Sequence, residues 1–321
     1  MTQRVLITTA YLEPGGEVDR LLLEAGFETA FAPRSGPRLR RVITDVDAVV
    51  AGTDAFTAEV LEAATRLKVL GRCGAGYDNI DVETATRQGI AVTFTPGANR
   101  RSVAEHVLAL MLNCARLIPQ NVAAVAAGGW DQRSGRELAG ATLGIVGLGS
   151  IGKTVARLAL ALGMRVVAYD PFLDTDFVAD TGIEVRSLDG VLAEADFVSL
   201  HLFLDDSTRR LIDARALALM KPGAYLINTA RGEVVDEAAL ADALESGHLG
   251  GAGLDVVETE PLPPDSRLRG LGNALVTAHI GAATVEARSR SSLMATRQVI
   301  DLLQGRTPDN LVNPDYAKAV R

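Results

Sequence analysis

The sequence predicts an α/β protein of doubly wound parallel sheets, arranged as two domains. Three observations carry this. Short β-branched runs alternate with helical patterns along almost the whole chain, which implies right-handed strand–helix–strand units. The 321 residues suffice for two medium domains, each with its own core. A turn-rich stretch, TPGANRRS at 95–102, interrupts the alternation where a boundary is expected.

The elements follow in order. Residues 4–9 (RVLITT) read as a strand and 18–25 (VDRLLLEA) as a helix stopped by Gly26. Residues 47–51 (DAVVA) form the next strand, 58–64 a helix and 67–71 (LKVLG) a strand. Asp81 is placed to N-cap a helix that ends at Gly89, and 90–94 (IAVTF) is a strand. Beyond the boundary, 103–117 is a strongly apolar helix, with Ser102 as N-cap and Glu105 completing a capping box. Gly128–Gly129–Trp130 breaks the pattern. A second series of strands follows at 141–146, 165–169, 183–185, 196–200, 224–228, 253–256 and 274–277, and the last long helix runs from about 285 to 303.

Composition narrows the function. Hydrophobic residues make up 48% and charged residues 22%, as in ordinary globular proteins; aromatics are only 4%, so the core rests on Ala, Val, Leu and Ile. The net charge of −8 argues against nucleic acid, which demands a basic face. No run of about 18 apolar residues is present, so no membrane partner is expected. The N-terminal MTQRVLITT lacks the layout of a signal peptide. Two cysteines, Cys73 and Cys114, give no disulfide framework and point to a reducing, cytoplasmic setting. No cluster with metal-ligand spacing is present, so no metal is expected.

The most informative motif is Gly147–Leu148–Gly149–Ser150–Ile151–Gly152, set between the strand ATLGIV and the helix KTVARLALAL. The first glycine permits a tight turn, the second lets backbone approach a pyrophosphate, and the third lets helix pack on strand. The helix N-terminus offers unpaired N–H groups and a favourable dipole to an anion. The next strand ends in Asp170, 18 residues past Gly152. A carboxylate there accepts the adenosine ribose hydroxyls and repels a 2′-phosphate, so the expected cofactor is NAD rather than NADP.

With these residues in view, the chain resembles the D-isomer-specific 2-hydroxyacid dehydrogenases, within them the 3-phosphoglycerate dehydrogenase-like branch. The resemblance rests on GRCGAGYDNIDVETATRQGI (71–90), TPGANRRSVAEHVLALML (95–112), GLGSIG (147–152), NTARGEVVDEAAL (228–240), GAGLDVVETEPLP (251–263) and TAHIGAAT (277–284), in that order. It implies two Rossmann-like domains, the cofactor domain inserted into the substrate domain: 1–98 with 285–321 for substrate, 99–284 for NAD. It also implies a homodimer formed through the cofactor domain, with 103–117 and the region of Trp130 reaching the partner; a helix buried within its own domain explains the apolar pattern of 103–117 equally well.

Oxidising a small 2-hydroxy acid requires a group that holds the carboxylate and polarises the C2 oxygen, a base for the hydroxyl proton, and hydride transfer to nicotinamide. Arg231 follows a strand, at the edge where doubly wound sheets bind ligands, and its planar fork suits a carboxylate. His279 has the proton chemistry of a general acid/base. Glu260 matches the carboxylate that orients such an imidazole, with Glu258 a nearby competitor. His106, His201 and His248 read as satisfied structural histidines. The resemblance assigns catalysis to Arg231, Glu260 and His279, and substrate contacts to Ala75, Gly76 and Arg231. Cofactor contacts fall to Ala75, Gly147, Gly149, Ser150, Ile151, Gly152, Asp170, Leu202, Thr229, Ala230, Asp255, Gly281 and Ala282. The loop Gly74–Ala75–Gly76 offers amides as a nest for the substrate carboxylate.

Departures from the family pattern bear on the substrate. Leu200–His201–Leu202–Phe203–Leu204 lacks the proline usual in that segment, and Ala278 stands where proline is common. Phosphoglycerate-specific relatives often carry an arginine where this chain has Gly52–Thr53–Asp54; Arg72, Arg100 or Arg101 are the candidate substitutes. No C-terminal regulatory domain, and hence no serine feedback, is expected. The leading expectation is an NAD-dependent oxidoreductase acting on a D-2-hydroxy or 2-oxo acid, 3-phosphoglycerate among them. Glyoxylate or hydroxypyruvate reduction is the alternative, and an NAD-sensing corepressor-like binding protein the reading from another class. The small Gly74–Gly76 loop, without the lysine of the phosphite-oxidising branch, argues against phosphite oxidation.

Overall fold

The computed structural model describes residues 2–33 and 35–318. The chain divides into two compact units, Met1–Asn99 with Thr284–Arg321, and Arg100–Ala283. Both are open, all-parallel α/β sheets.

In the first unit, β1 (Arg4–Ile7), β2 (Glu28–Phe31), β3 (Ala48–Ala51), β4 (Val69–Arg72) and β5 (Ala91–Thr93) are ordered β2-β1-β3-β4-β5. Strands β3 and β5 are buried throughout, as a sheet covered on both faces requires. The sequence pattern missed β2, whose residues ETAF alternate weakly and are only half-buried at the sheet edge. The helix Val285–Leu303 belongs to this unit and packs on β3 and β4. Its N-cap Thr284 accepts from the amide of Ala287 at 3.1 Å. Asp81 caps its helix as expected, accepting from the Thr84 amide at 2.9 Å.

In the second unit, β6 (Thr142–Val146), β7 (Arg165–Tyr169), β8 (Glu184–Val185), β9 (Phe197–Leu200), β10 (Tyr225–Asn228), β11 (Gly251–Leu254) and β12 (Ala274–Val276) are ordered β12-β11-β10-β9-β6-β7-β8. The order reverses between β6 and β9, the switch point beyond whose carboxyl ends sheets of this kind take ligands. Two apolar clusters, centred on Val198, Leu226 and Leu254 and on Leu143, Ile145 and Ile227, fill the two faces of this sheet.

The Arg100–Arg116 helix starts earlier than the capping-box reading placed it. Ser102 lies inside the first turn and is buried, and Glu105 pairs with Arg101 at 2.6 Å instead of reaching back to a cap. Leu117 then takes a left-handed conformation (φ 51°) and the chain turns into the helix Ile118–Ala126. Among the described residues no single helix is long and apolar enough to cross a membrane, and none contributes to a group of three or more metal-ligating side chains. Those two helices pass such a test only together, bent by 62°, and the first buries one face in its own unit.

Candidate active site

The glycine turn follows β6 directly. Gly147 sits at φ 97°, and a Cβ there would lie 2.5 Å from the carbonyl oxygen of His201 and 3.1 Å from Leu202 Cδ2. A Cβ on Gly152 would lie 2.1 Å from the Gly147 oxygen, so the helix start is pressed onto the turn. A Cβ on Gly149, by contrast, would meet nothing within 4 Å. The 12-residue helix Ser150–Ala161 begins there with no side chain capping its amides. Asp170 stands beside it: Oδ2 accepts from the Leu148 amide at 2.6 Å and Oδ1 from the Phe172 amide at 2.7 Å. Open backbone, an uncapped helix N-terminus and an anchored carboxylate fit a dinucleotide with a pyrophosphate and a free ribose diol. Thr229, beyond β10, has a buried Oγ1 with no hydrogen-bond partner among the described residues, as a ligand-lining hydroxyl would.

Arg231 also follows β10. The buried Asn228 pins this turn: Oδ1 accepts from the Ala230 amide at 3.0 Å and Nδ2 donates to the Arg231 carbonyl at 2.8 Å. Arg231 itself donates through Nη1 to the Ala230 carbonyl at 2.7 Å. Gly232 lets this turn lie directly on the segment leading to Glu260, since a Cβ would fall 1.9 Å from the carbonyl carbon of Val257.

The structure brings His279 and Glu260 together, with Nδ1 2.9 Å from Oε2. Both side chains are partly exposed, at 46% and 38%. Glu258 is engaged elsewhere, paired with Arg210 at 2.9 Å. With Nδ1 committed to Glu260, Nε2 is the nitrogen left to exchange a proton with a ligand.

His279 is held at φ 52°, an uncommon backbone state for a residue with a side chain. Asp255, at the end of β11, imposes it. Its carbonyl accepts from the His279 amide at 2.9 Å. Its carboxylate accepts from the amides of Ile280 at 2.8 Å and Gly281 at 2.7 Å and from Thr277 Oγ1 at 2.6 Å. Burial alone would raise the Asp255 pKa; the hydrogen bonds from His106, Thr277, Ile280 and Gly281 more than offset it and hold the carboxyl well below the usual range. Gly281 is buried, and a Cβ there would lie 2.9 Å from Asp255 Oδ2, so the turn closes tightly over the carboxylate. Ala282 continues this loop, half-buried.

His201 and His248 fit the structural reading. Burial pushes the His201 imidazole down to about 3, and its Nε2 is 2.9 Å from Ser199 Oγ. His248 Nε2 is 3.1 Å from the Leu217 carbonyl oxygen. The sequence marks His106 only as a satisfied structural histidine and gives Asn228 no role. Their partners, Asp255 and Thr277 for the first and the turn around Ala230 for the second, are set by packing and not by any local motif.

In the first unit, Ala75 and Gly76 follow β4, half-buried; among the described residues their amides make no backbone hydrogen bond. The Arg72 guanidinium lies against Gly74, 2.7 Å from where its Cβ would be. Arg288 lies over the Tyr11 ring, 4.9 Å from its centroid, and Tyr11 Oη is 3.4 Å from Ser291 Oγ. Gly52 follows β3, its amide donating to Thr8 Oγ1 at 3.0 Å.

Residues 108–281 match the family model described as D-isomer specific 2-hydroxyacid dehydrogenase, NAD binding domain. The chain belongs to that family. Its cofactor is NAD. A D-3-phosphoglycerate dehydrogenase of Mycobacterium bovis is 45% identical over 279 residues, 86% of this chain and 53% of that protein. The chain thus spans about half the length of the first curated relatives it matches. A glyoxylate reductase of Korarchaeum cryptofilum is 40% identical over 329 residues, covering 99% of this chain and 98% of that protein. Among solved structures, D-lactate dehydrogenase from Aquifex aeolicus, complexed with NAD and lactic acid, is similar at a TM-score of 0.83. It is 30% identical, with 97% of this chain and 99% of that chain covered.

Proposed function

We propose that this family member is an NAD-dependent dehydrogenase interconverting a D-2-hydroxy acid and its 2-oxo acid. The observation that carries the reading is the His279–Glu260 pair, 2.9 Å apart, in the unit whose Arg231 turn packs on the Glu260 segment. NAD, when bound, supplies the hydride acceptor or donor at C4 of its nicotinamide. Arg231 holds the substrate carboxylate and polarises the C2 oxygen. In oxidation His279 Nε2 takes the hydroxyl proton as the C2 hydrogen leaves as hydride; in reduction it returns that proton to the C2 oxygen. Glu260 fixes the ring tautomer and stabilises its protonated form. Gly147, Gly149, Ser150, Ile151 and Gly152 hold the pyrophosphate, and Asp170 holds the ribose. Leu202, Thr229, Ala230, Asp255, Gly281 and Ala282 line the cofactor. The unit formed by the two chain ends is the substrate domain, its loop Gly74–Ala75–Gly76 offering backbone amides to an anionic group of a ligand.

The proposed acid is 3-phosphoglycerate, supported by the guanidinium groups of Arg72 and Arg288 beside the strand ends of the first unit. Reduction of glyoxylate or hydroxypyruvate is the second reading, favoured by the absence of an arginine in Gly52–Thr53–Asp54 and by the full-length similarity to a glyoxylate reductase. A panel of 2-oxo and 2-hydroxy acids with NADH or NAD, followed by nicotinamide absorbance, separates the two. Turnover of 3-phosphoglycerate at least ~10-fold above that of the smaller acids, in kcat/KM, is the expected result. Tight NADH binding with no turnover of any acid would overturn the enzyme reading in favour of an NAD-sensing binding protein.

Asp170→Ala is expected to lower the preference for NAD over NADP by ~10-fold or more, because the carboxylate that repels a 2′-phosphate is gone. Unchanged selectivity in parallel kcat/KM measurements would mean that the ribose is read elsewhere. The proposed assembly is a homodimer through this unit, supported by the outward apolar stripe Ile118, Val122 and Val125 at helical spacing and by Trp130, 80% exposed. Two unpaired, buried thiols support a cytoplasmic setting.

A further inference from the structure

The Arg100–Arg116 helix runs antiparallel to β11 and touches it at Gly253, whose Cβ would lie 3.0 Å from Leu110 Cβ and 3.5 Å from Cys114 Sγ. From that contact, four residues back along the helix (about 6 Å) lead to His106. Two residues forward along the strand (about 6.6 Å) lead to Asp255. The register delivers His106 Nε2 to 3.2 Å from Asp255 Oδ1 and 3.1 Å from Thr277 Oγ1, with the imidazole 16% exposed. The hydroxyl hydrogen of Thr277 is already given to Asp255 Oδ1 at 2.6 Å. Both neighbours of Nε2 are therefore acceptors, and Nε2 carries the hydrogen that it donates to them.

We infer that His106 is a positioning residue for the His279 turn. Its N–H locks Thr277 and the Asp255 carboxylate in one arrangement, which captures the amides of Ile280 and Gly281 and keeps His279 in its left-handed conformation. His106 touches no reacting atom in this scheme; it acts through Asp255. The inference rests on the reading of His279 as the acid/base.

Three arms test it. In the protein without cofactor, amide hydrogen exchange across residues 277–283 is expected to accelerate ~10-fold in His106→Leu and to stay near the original rate in His106→Gln. The Gln amide can still donate from about the same place. In turnover of hydroxypyruvate and glyoxylate with NADH, His106→Leu should lose ~10- to 100-fold in kcat with KM within about twofold, because a misplaced acid/base slows the chemistry and leaves substrate binding alone. His106→Gln should retain at least about a third of kcat. Unaltered exchange and unaltered kcat in His106→Leu would overturn the inference. So would a His106→Gln that loses as much as His106→Leu while remaining folded by circular dichroism. If the original chain turns over neither acid, nor any other in the panel above, the function reading fails, and the exchange arm still decides whether His106 holds the turn.

Discussion

His279→Asn is expected to lower kcat for 2-oxo acid reduction by about 10³-fold, which corresponds to about 4 kcal/mol of transition-state stabilisation. An amide can hydrogen-bond to the C2 oxygen but cannot give up a proton to it. Asparagine is the informative replacement because it tolerates the left-handed conformation that His279 occupies at φ 52°, so the turn over Asp255 survives and the loss reports on proton transfer. Alanine would add backbone strain of about 1 kcal/mol to the same chemical loss. The NADH dissociation constant, from fluorescence titration, should stay within about threefold, since the glycine turn and Asp170 are untouched. A kcat within tenfold of the original would remove His279 from the acid/base role. An equal loss in NADH affinity would make it a cofactor-binding residue instead.

The residues proposed for the chemistry stand out in the sequence because each lies just past a strand, inside a motif. Arg231 follows β10, the glycine turn follows β6 and Asp170 follows β7. Strand ends are visible in sequence because a β-branched run stops there. Local signals failed where the outcome depends on packing. The edge strand β2 has too little hydrophobic alternation to register. The Ser102 cap was misplaced because the two arginines before it already belong to the helix, and nothing in ANRRS marks which residue turns first. His106 is a satisfied histidine, as its sequence context suggests, but its partners belong to no local pattern. Asp255 lies across a contact created by the missing side chain of Gly253, and no spacing rule connects a helix to a strand that far along the chain. Between Glu258 and Glu260 the EPLP pattern already favours Glu260 in the sequence, and in the structure Arg210 pairs with Glu258 while His279 pairs with Glu260.

Asp255→Asn is expected to destabilise the second unit by about 3 kcal/mol at neutral pH, the order found when one partner of a buried, hydrogen-bonded charge is removed. The carboxylate of Asp255 is 2% exposed and accepts from two amides, a hydroxyl and an imidazole. An amide side chain must turn its NH₂ toward at least one of these donors, and that donor is then buried without a partner. Urea unfolding followed by circular dichroism should show the midpoint moving down by ~1.5 M for a slope of about 2 kcal/mol/M. The pH dependence has a definite sign. The folded state holds this carboxyl below its ordinary value, so its stabilisation is complete above the unfolded pKa of about 3.9 and is lost as pH falls toward the folded value. The gap between the original chain and Asp255→Asn should therefore narrow by about 1 kcal/mol between pH 7 and pH 3. Every other carboxylate titrates in both proteins and cancels in the difference. A gap that stays constant, or widens, in acid would show that Asp255 is not held as a buried anion, and the account of how the His279 turn is kept in place would fall with it.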